Sequence, residues 1–144
     1  MIEKIKSKNK ILAIIVRTNK IRKNGVNFIS PKSFVLQLGF INRPKGYDIK
    51  PHTHKNFLRK INKTSEVLFV KSGLLRVDFY SNKKSYLFSK LLKKDDLIIL
   101  NEGSHGFKML KKCNLIEIKQ GPFFKTLDKI RFNKIVEKKI KIKK

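Results

Sequence analysis

Apolar residues fall in short runs along the chain, each bounded by residues that favour turns. Residues 11–16, Ile-Leu-Ala-Ile-Ile-Val, are β-branched and compact, and predict a strand. Residues 26–29 predict a second strand, stopped by Ser30-Pro31, and residues 33–40 a third. The segment Asn42-Arg43-Pro44-Lys45-Gly46 is loop chemistry: proline presets φ and glycine allows positive φ. Residues 47–54 predict a return to strand, and residues 55–64 a loop or lid. Residues 65–70 and 74–80 predict a hairpin joined by Lys71-Ser72-Gly73. Further strands are expected at 85–92, 97–100, 107–110 and 114–119. No window sustains a helical period. Many short strands with turn residues between them indicate an all-β sandwich or barrel.

The length of 144 residues suits one domain with one core. The expected organisation is a basic lead-in over 1–10, a barrel over 11–124 and a basic C-terminal extension over 125–144. In the extension, Leu127, Ile130 and Phe132 are candidate anchors, and the final residues are the most prone to fray. Charge changes the picture most: 36 Lys+Arg stand against 10 Asp+Glu, a formal +26. That balance suits a polyanion partner such as nucleic acid, an anionic membrane surface or a phosphorylated substrate. It is also what an AT-rich coding sequence tends to specify, since only six of the basic residues are arginine and they are spread along the chain. The scarcity of arginine and the lack of an aromatic-rich basic stripe argue against a dedicated nucleic-acid surface.

Cys113 is the one cysteine, so no intramolecular disulfide can form, which fits a reducing, cytoplasmic setting. No signal-peptide pattern is visible, and no apolar run approaches the length of a membrane span.

All three histidines lie between Gly46 and Gly106. On an extended strand, residues i and i+2 share a face, so His52 and His54 would aim two imidazoles in one direction. His105 follows the apolar run 97–100 on a glycine-flanked turn. Neutral imidazole with a carboxylate companion suits Zn, Fe, Mn or Ni. The alternatives are a histidine-lined cavity without metal, a turn histidine bonded to backbone, and a Glu66 paired with a lysine.

Gly46, His52, His54, Glu66 and Gly73, followed by residues 97–105, together resemble the two motifs of the cupin superfamily. The resemblance covers roughly residues 33–120. The spacer from His54 to Glu66 holds eleven residues, longer than the family's usual one. A narrower likeness, through residues 75–80, Gly103-Ser104-His105-Gly106-Phe107 and Ile118-Lys119-Gln120-Gly121-Pro122, is to small single-domain cupins associated with polysaccharide biosynthesis. The resemblance implies a jelly-roll β-barrel (double-stranded β-helix). It implies a divalent transition metal, Fe, Mn, Zn or Ni, held by His52, His54, Glu66 and His105, and a homodimer. It also implies a small polar ligand such as a carbohydrate or nucleotide sugar, with isomerase, epimerase or dioxygenase chemistry or ligand binding without turnover. Glu66 is the one candidate for acid–base work if it is not a ligand.

Glu66, Leu68 and Val70 share one strand face and should point inward together. Gln37 is either a surface residue or a hydrogen-bonder in the pocket. Arg43 and Tyr47 flank the motif strand and are candidates for contact with an anionic substrate. Glu117 and Lys119 face away from Ile116 and Ile118, and the apolar pair is expected inside.

Overall fold

The structure is a computed structural model, and it describes residues 1–122, 124 and 128–144. It is all-β, with ten strands: β1 (Ile2–Ser7), β2 (Lys10–Arg17), β3 (Gly25–Phe28), β4 (Gly39–Asn42), β5 (Glu66–Ser72), β6 (Leu74–Tyr80), β7 (Tyr86–Lys93), β8 (Asp96–Leu100), β9 (Ser104–Met109) and β10 (Asn114–Lys119). A five-stranded antiparallel sheet, in the order β1-β2-β8-β5-β10, faces a three-stranded sheet, β7-β6-β9. The hairpin β3–β4 forms a third, two-stranded sheet.

The core follows from the period-2 alternation of the strands. Ile5, Ala13, Ile15, Ile98, Leu68 and Val70 on the large sheet meet Leu75, Val77, Phe79 and Leu92 on the small one. The central strands of the large sheet are apolar on both faces. Their second face, carrying Ile14, Val16, Ile99 and Val67, is covered by residues of the 21–40 segment, including Ile29, Phe34, Leu36 and Leu38. Residues 11–16 therefore read as one continuous apolar run, as expected of a strand buried on both sides.

Turn geometry sets the hairpins. Gly73 sits at φ +98°, and a Cβ placed there would lie 2.3 Å from the Lys112 carbonyl oxygen. Gly73→Ala is therefore expected to cost about 2 kcal/mol or more. A lowered denaturant midpoint at unchanged slope would show it.

The expected lead-in is instead strand β1, whose Ile5 joins the core while Lys4 and Lys6 stay exposed. Across the lateral opening between β1 and β7, Glu3 pairs at 2.5 Å with Lys90, whose side chain is almost fully buried. The strand expected over 33–40 forms only from Gly39. Upstream of it, side chains take the backbone hydrogen bonds: Gln37 Nε2 donates to the carbonyls of Pro31 (2.9 Å) and Phe34 (2.8 Å), and the Leu38 amide donates to Ser30 Oγ (2.9 Å). The strand expected over 47–54 does not form, and residues 43–60 are exposed and irregular. Pro44 and Pro51 each remove an amide donor from that segment.

The apolar-inside expectation for β10 is reversed. Ile116 and Ile118 are exposed, while Leu115 packs on the core and Lys119, on the same face, lines a cavity.

The residues after the sheets are not a loose extension. Ser89 on β7 bridges in parallel to Ile142, with Ser89 N donating to the Lys141 carbonyl (2.8 Å) and Lys143 N to the Ser89 carbonyl (2.9 Å). Phe132 packs edge-on against Tyr80, with ring centroids 5.1 Å apart, whereas Ile130 is exposed. Leu127 lies outside the described residues. Among the described residues, no helix is long and apolar enough to cross a membrane.

Candidate functional site

The opposite lateral opening, between the edge strands β9 and β10, holds a cavity of about 540 Å³. That size suits a small molecule. Glu66 opens β5 on the inner face of the large sheet, paired across the ladder with Lys119 and Leu100. His105, expected on a turn, lies instead within β9 opposite Phe79, on the inner face of the small sheet. The two meet across the cavity, with His105 Nε2 3.0 Å from Glu66 Oε2. Period 2 accounts for this placement: the face that puts Leu68 and Val70 in the core also points Glu66 inward.

Glu66 is 5% exposed, so its carboxylate is held largely away from water. The His105 ring draws its pKa below the ordinary carboxylate range. Burial opposes that shift, and the charges of Lys129 and Lys119 add to it. Lys129 Nζ lies 3.8 Å from the other carboxylate oxygen. His105 Nε2 lies within hydrogen-bonding distance of Glu66 Oε2, so among the described residues the imidazole and the Lys129 ammonium are the carboxylate's partners. Two buried polar atoms close by in sequence or ladder, Ser65 Oγ and Gln120 Nε2, have no hydrogen-bond partner among the described residues. Gln120 uses its other atom, Oε1, to accept from the Ser65 amide at 2.8 Å.

A carboxylate and an imidazole face each other at the cavity, two of the donor types that divalent transition metals take. His52 and His54 do not line it. They lie on the exposed 43–60 segment, with their rings 5.4 Å apart and edge-to-face, and His52 Nδ1 lies 2.9 Å from the Lys50 carbonyl. Among the described residues, no three His, Cys, Asp or Glu side chains gather closely enough to hold an ion. The structure thus brings two of the four expected ligands together.

The expected substrate contacts divide in the same way. Lys119 lines the cavity and donates to Asp128 at 2.9 Å. Glu117 is on the same strand face but exposed. Gln37 is engaged in its own loop, and the Arg43 guanidinium stacks over the Tyr47 ring at 4.3 Å on the exposed segment. None of Gln37, Arg43, Tyr47 and Glu117 lines the cavity.

Sequence reasoning missed one wall of the site. Lys129, Arg131, Phe132 and Lys134 line the cavity, as does Tyr80 of β6. The alternation Lys129-Ile130-Arg131-Phe132 was the available signal, since it marks an extended segment with two distinct faces. No family model matches the chain, and neither a curated protein nor a solved structure matches it.

Proposed function

We propose that the protein binds a small polar ligand, such as a carbohydrate or nucleotide sugar, in the cavity between β9 and β10. In this reading a divalent metal is held by Glu66 and His105, with His52 and His54 as the remaining donors from the preceding segment. The observation that carries it is Glu66: a buried carboxylate 3.0 Å from an imidazole and 3.8 Å from an ammonium, inside a cavity of ligand size. Taking a carboxylate out of water costs desolvation, and a buried charged group with a perturbed pKa in a cleft marks a candidate binding site. Bound there, a divalent metal polarises a carbonyl or hydroxyl oxygen of the ligand. The residues of the chain do the rest. Glu66 supplies negative charge, either as a donor to the metal or as acceptor of a ligand proton. His105 orients the carboxylate. Tyr80, Phe107 and Phe132 give the cavity an apolar side against which a sugar or base can pack.

A panel of nucleotide sugars and free sugars, titrated calorimetrically against metal-loaded protein, tests this reading. At least one is expected to bind the wild type and to bind His105→Ala at least about tenfold more weakly. If every ligand that binds does so equally well in both proteins, this cavity is not the site. Turnover of the bound compound would make the protein an enzyme, and binding without turnover a ligand-binding module.

A further inference from the structure

One wall of the cavity is built from chain that lies after the last sheet strand, and that wall is pinned at both ends. At the near end Asp128 accepts from Lys119 on β10 at 2.9 Å. At the far end the amide of Ile135 donates to the Tyr80 hydroxyl at 3.1 Å. Two residues on, the Glu137 carboxylate receives Arg76 on both oxygens, at 2.8 and 3.3 Å, and Lys108 at 2.7 Å. Arg76 is itself buried and fixed, since Asp78 accepts from it twice, at 2.8 and 3.1 Å. The fork therefore presents a rigid receptor to Glu137, and the two cations hold the Glu137 carboxyl down at about 2.

Between the pins lie Lys129, Arg131 and Lys134, all lining the cavity. With Lys119 they set four cationic side chains against two carboxylates, Glu66 and Asp128. Lys129 leans on Glu66, and Lys119 on Asp128. Among the described residues, Arg131 and Lys134 have no ion-pair partner. Like charges gathered round one concavity repel each other and concentrate counter-anions there. A planar guanidinium beside two ammonium groups matches phosphate in both charge and geometry.

We propose that residues 128–137 form an anion subsite of this cavity, in which Lys129, Arg131 and Lys134 bind the phosphate groups of a small phosphorylated ligand and Glu137 is the residue that positions the segment. The inference rests on the cavity being the ligand site and adds to that reading the part of the ligand bound by this wall. Glu137 acts at a distance: it does not line the cavity, and its role is to fix where the basic wall stands against β9 and β6.

The probe is inorganic pyrophosphate, titrated calorimetrically into the full-length protein at low and at moderate salt, well below the melting temperature. The wild type is expected to bind it saturably. Arg131→Ala/Lys134→Ala should weaken it by about tenfold or more, and Glu137→Gln by about fivefold. The control Lys138→Ala/Lys139→Ala removes the same charge from the same segment outside the cavity lining, and should change affinity by less than about twofold. Three results would overturn the subsite. The first is no saturable binding of pyrophosphate to the wild type. The second is equal weakening by the cavity pair and the control pair. The third is a single-stranded oligonucleotide binding more tightly than pyrophosphate and losing affinity equally in both pairs, which would make the basic surface a general polyanion surface. Loss of pyrophosphate binding with metal binding at Glu66 and His105 intact would remove the subsite and leave the cavity reading standing.

Discussion

Asp78→Ala is expected to destabilise the protein by about 3 kcal/mol, enough to lower the melting temperature by roughly 10 °C. Asp78 and Arg76 are each about 5% exposed, on a strand face that the C-terminal segment covers. The carboxylate accepts from Arg76 Nε and Nη2 and from Ser89 Oγ, at 2.8, 3.1 and 2.5 Å. Removing it leaves a buried guanidinium with half its partners and leaves the Ser89 hydroxyl with Tyr86 alone as its side-chain partner among the described residues. The cost stays at the lower end of the range for broken buried pairs because Glu137 still holds the other side of Arg76. Replacing both members, as in Arg76→Met/Asp78→Leu, removes the stranded charge and should recover most of the loss. The double variant should nonetheless loosen the C-terminal segment, since Glu137 then keeps only Lys108. Urea denaturation of the three proteins decides it. A single-variant cost below about 1 kcal/mol, or a double variant less stable than the single, would contradict this account of the network.

Glu66→Gln separates stability from binding. Gln is nearly isosteric and removes a buried charge, so the metal-free variant is expected to stay within about 1 kcal/mol of the wild type. The metal-loaded comparison should differ sharply. A ligand at a thousand times its dissociation constant stabilises the folded state by about 4 kcal/mol, which raises the melting temperature by roughly 8 to 16 °C in a protein of this size. The wild type should show that rise on addition of Zn, Mn, Fe or Ni. The variant lacks the anionic donor and should lose most of it. Equal rises in both proteins would place the metal elsewhere, for example on the exposed His52–His54 pair alone.

The fold was legible where strand period and turn chemistry agreed. Strands β2 and β5 through β10 follow runs of alternating or continuous apolar residues, separated by turns at Gly73, Lys84, Asp95 and Gly103, all of which adopt positive φ. It was illegible where side chains replaced the ladder. Residues 33–38 carry strand-like apolar residues, yet Ser30 and Gln37 take the backbone bonds and the segment folds as a covering loop. Strand β1 was overlooked because its lysines suggested a charged lead, although Lys4-Ile5-Lys6 already alternates with Ile5 inward. At the site, Glu66 could be placed because it sits on a strand whose inward face is set by Leu68 and Val70, whereas His105 was picked out by its motif and expected on a turn rather than on β9. Lys129, Arg131 and Lys134 could not be placed. The local alternation marks a two-faced segment, but which face meets the cavity is set by contacts distant in sequence, with Tyr80, Arg76 and Lys119. The pairing of His52 with His54 on one strand face required a ladder that the proline-flanked segment does not join.

We propose that Glu66 and His105 mark a metal-dependent ligand site. Its most direct test is elemental analysis of the purified chain after reconstitution with Fe, Mn, Zn and Ni, beside Glu66→Gln/His105→Ala and His52→Ala/His54→Ala. About one tightly held ion per wild-type chain is expected for at least one metal, with loss of that ion in both double variants. A wild type that retains no stoichiometric metal, or variants that retain it undiminished, would contradict it.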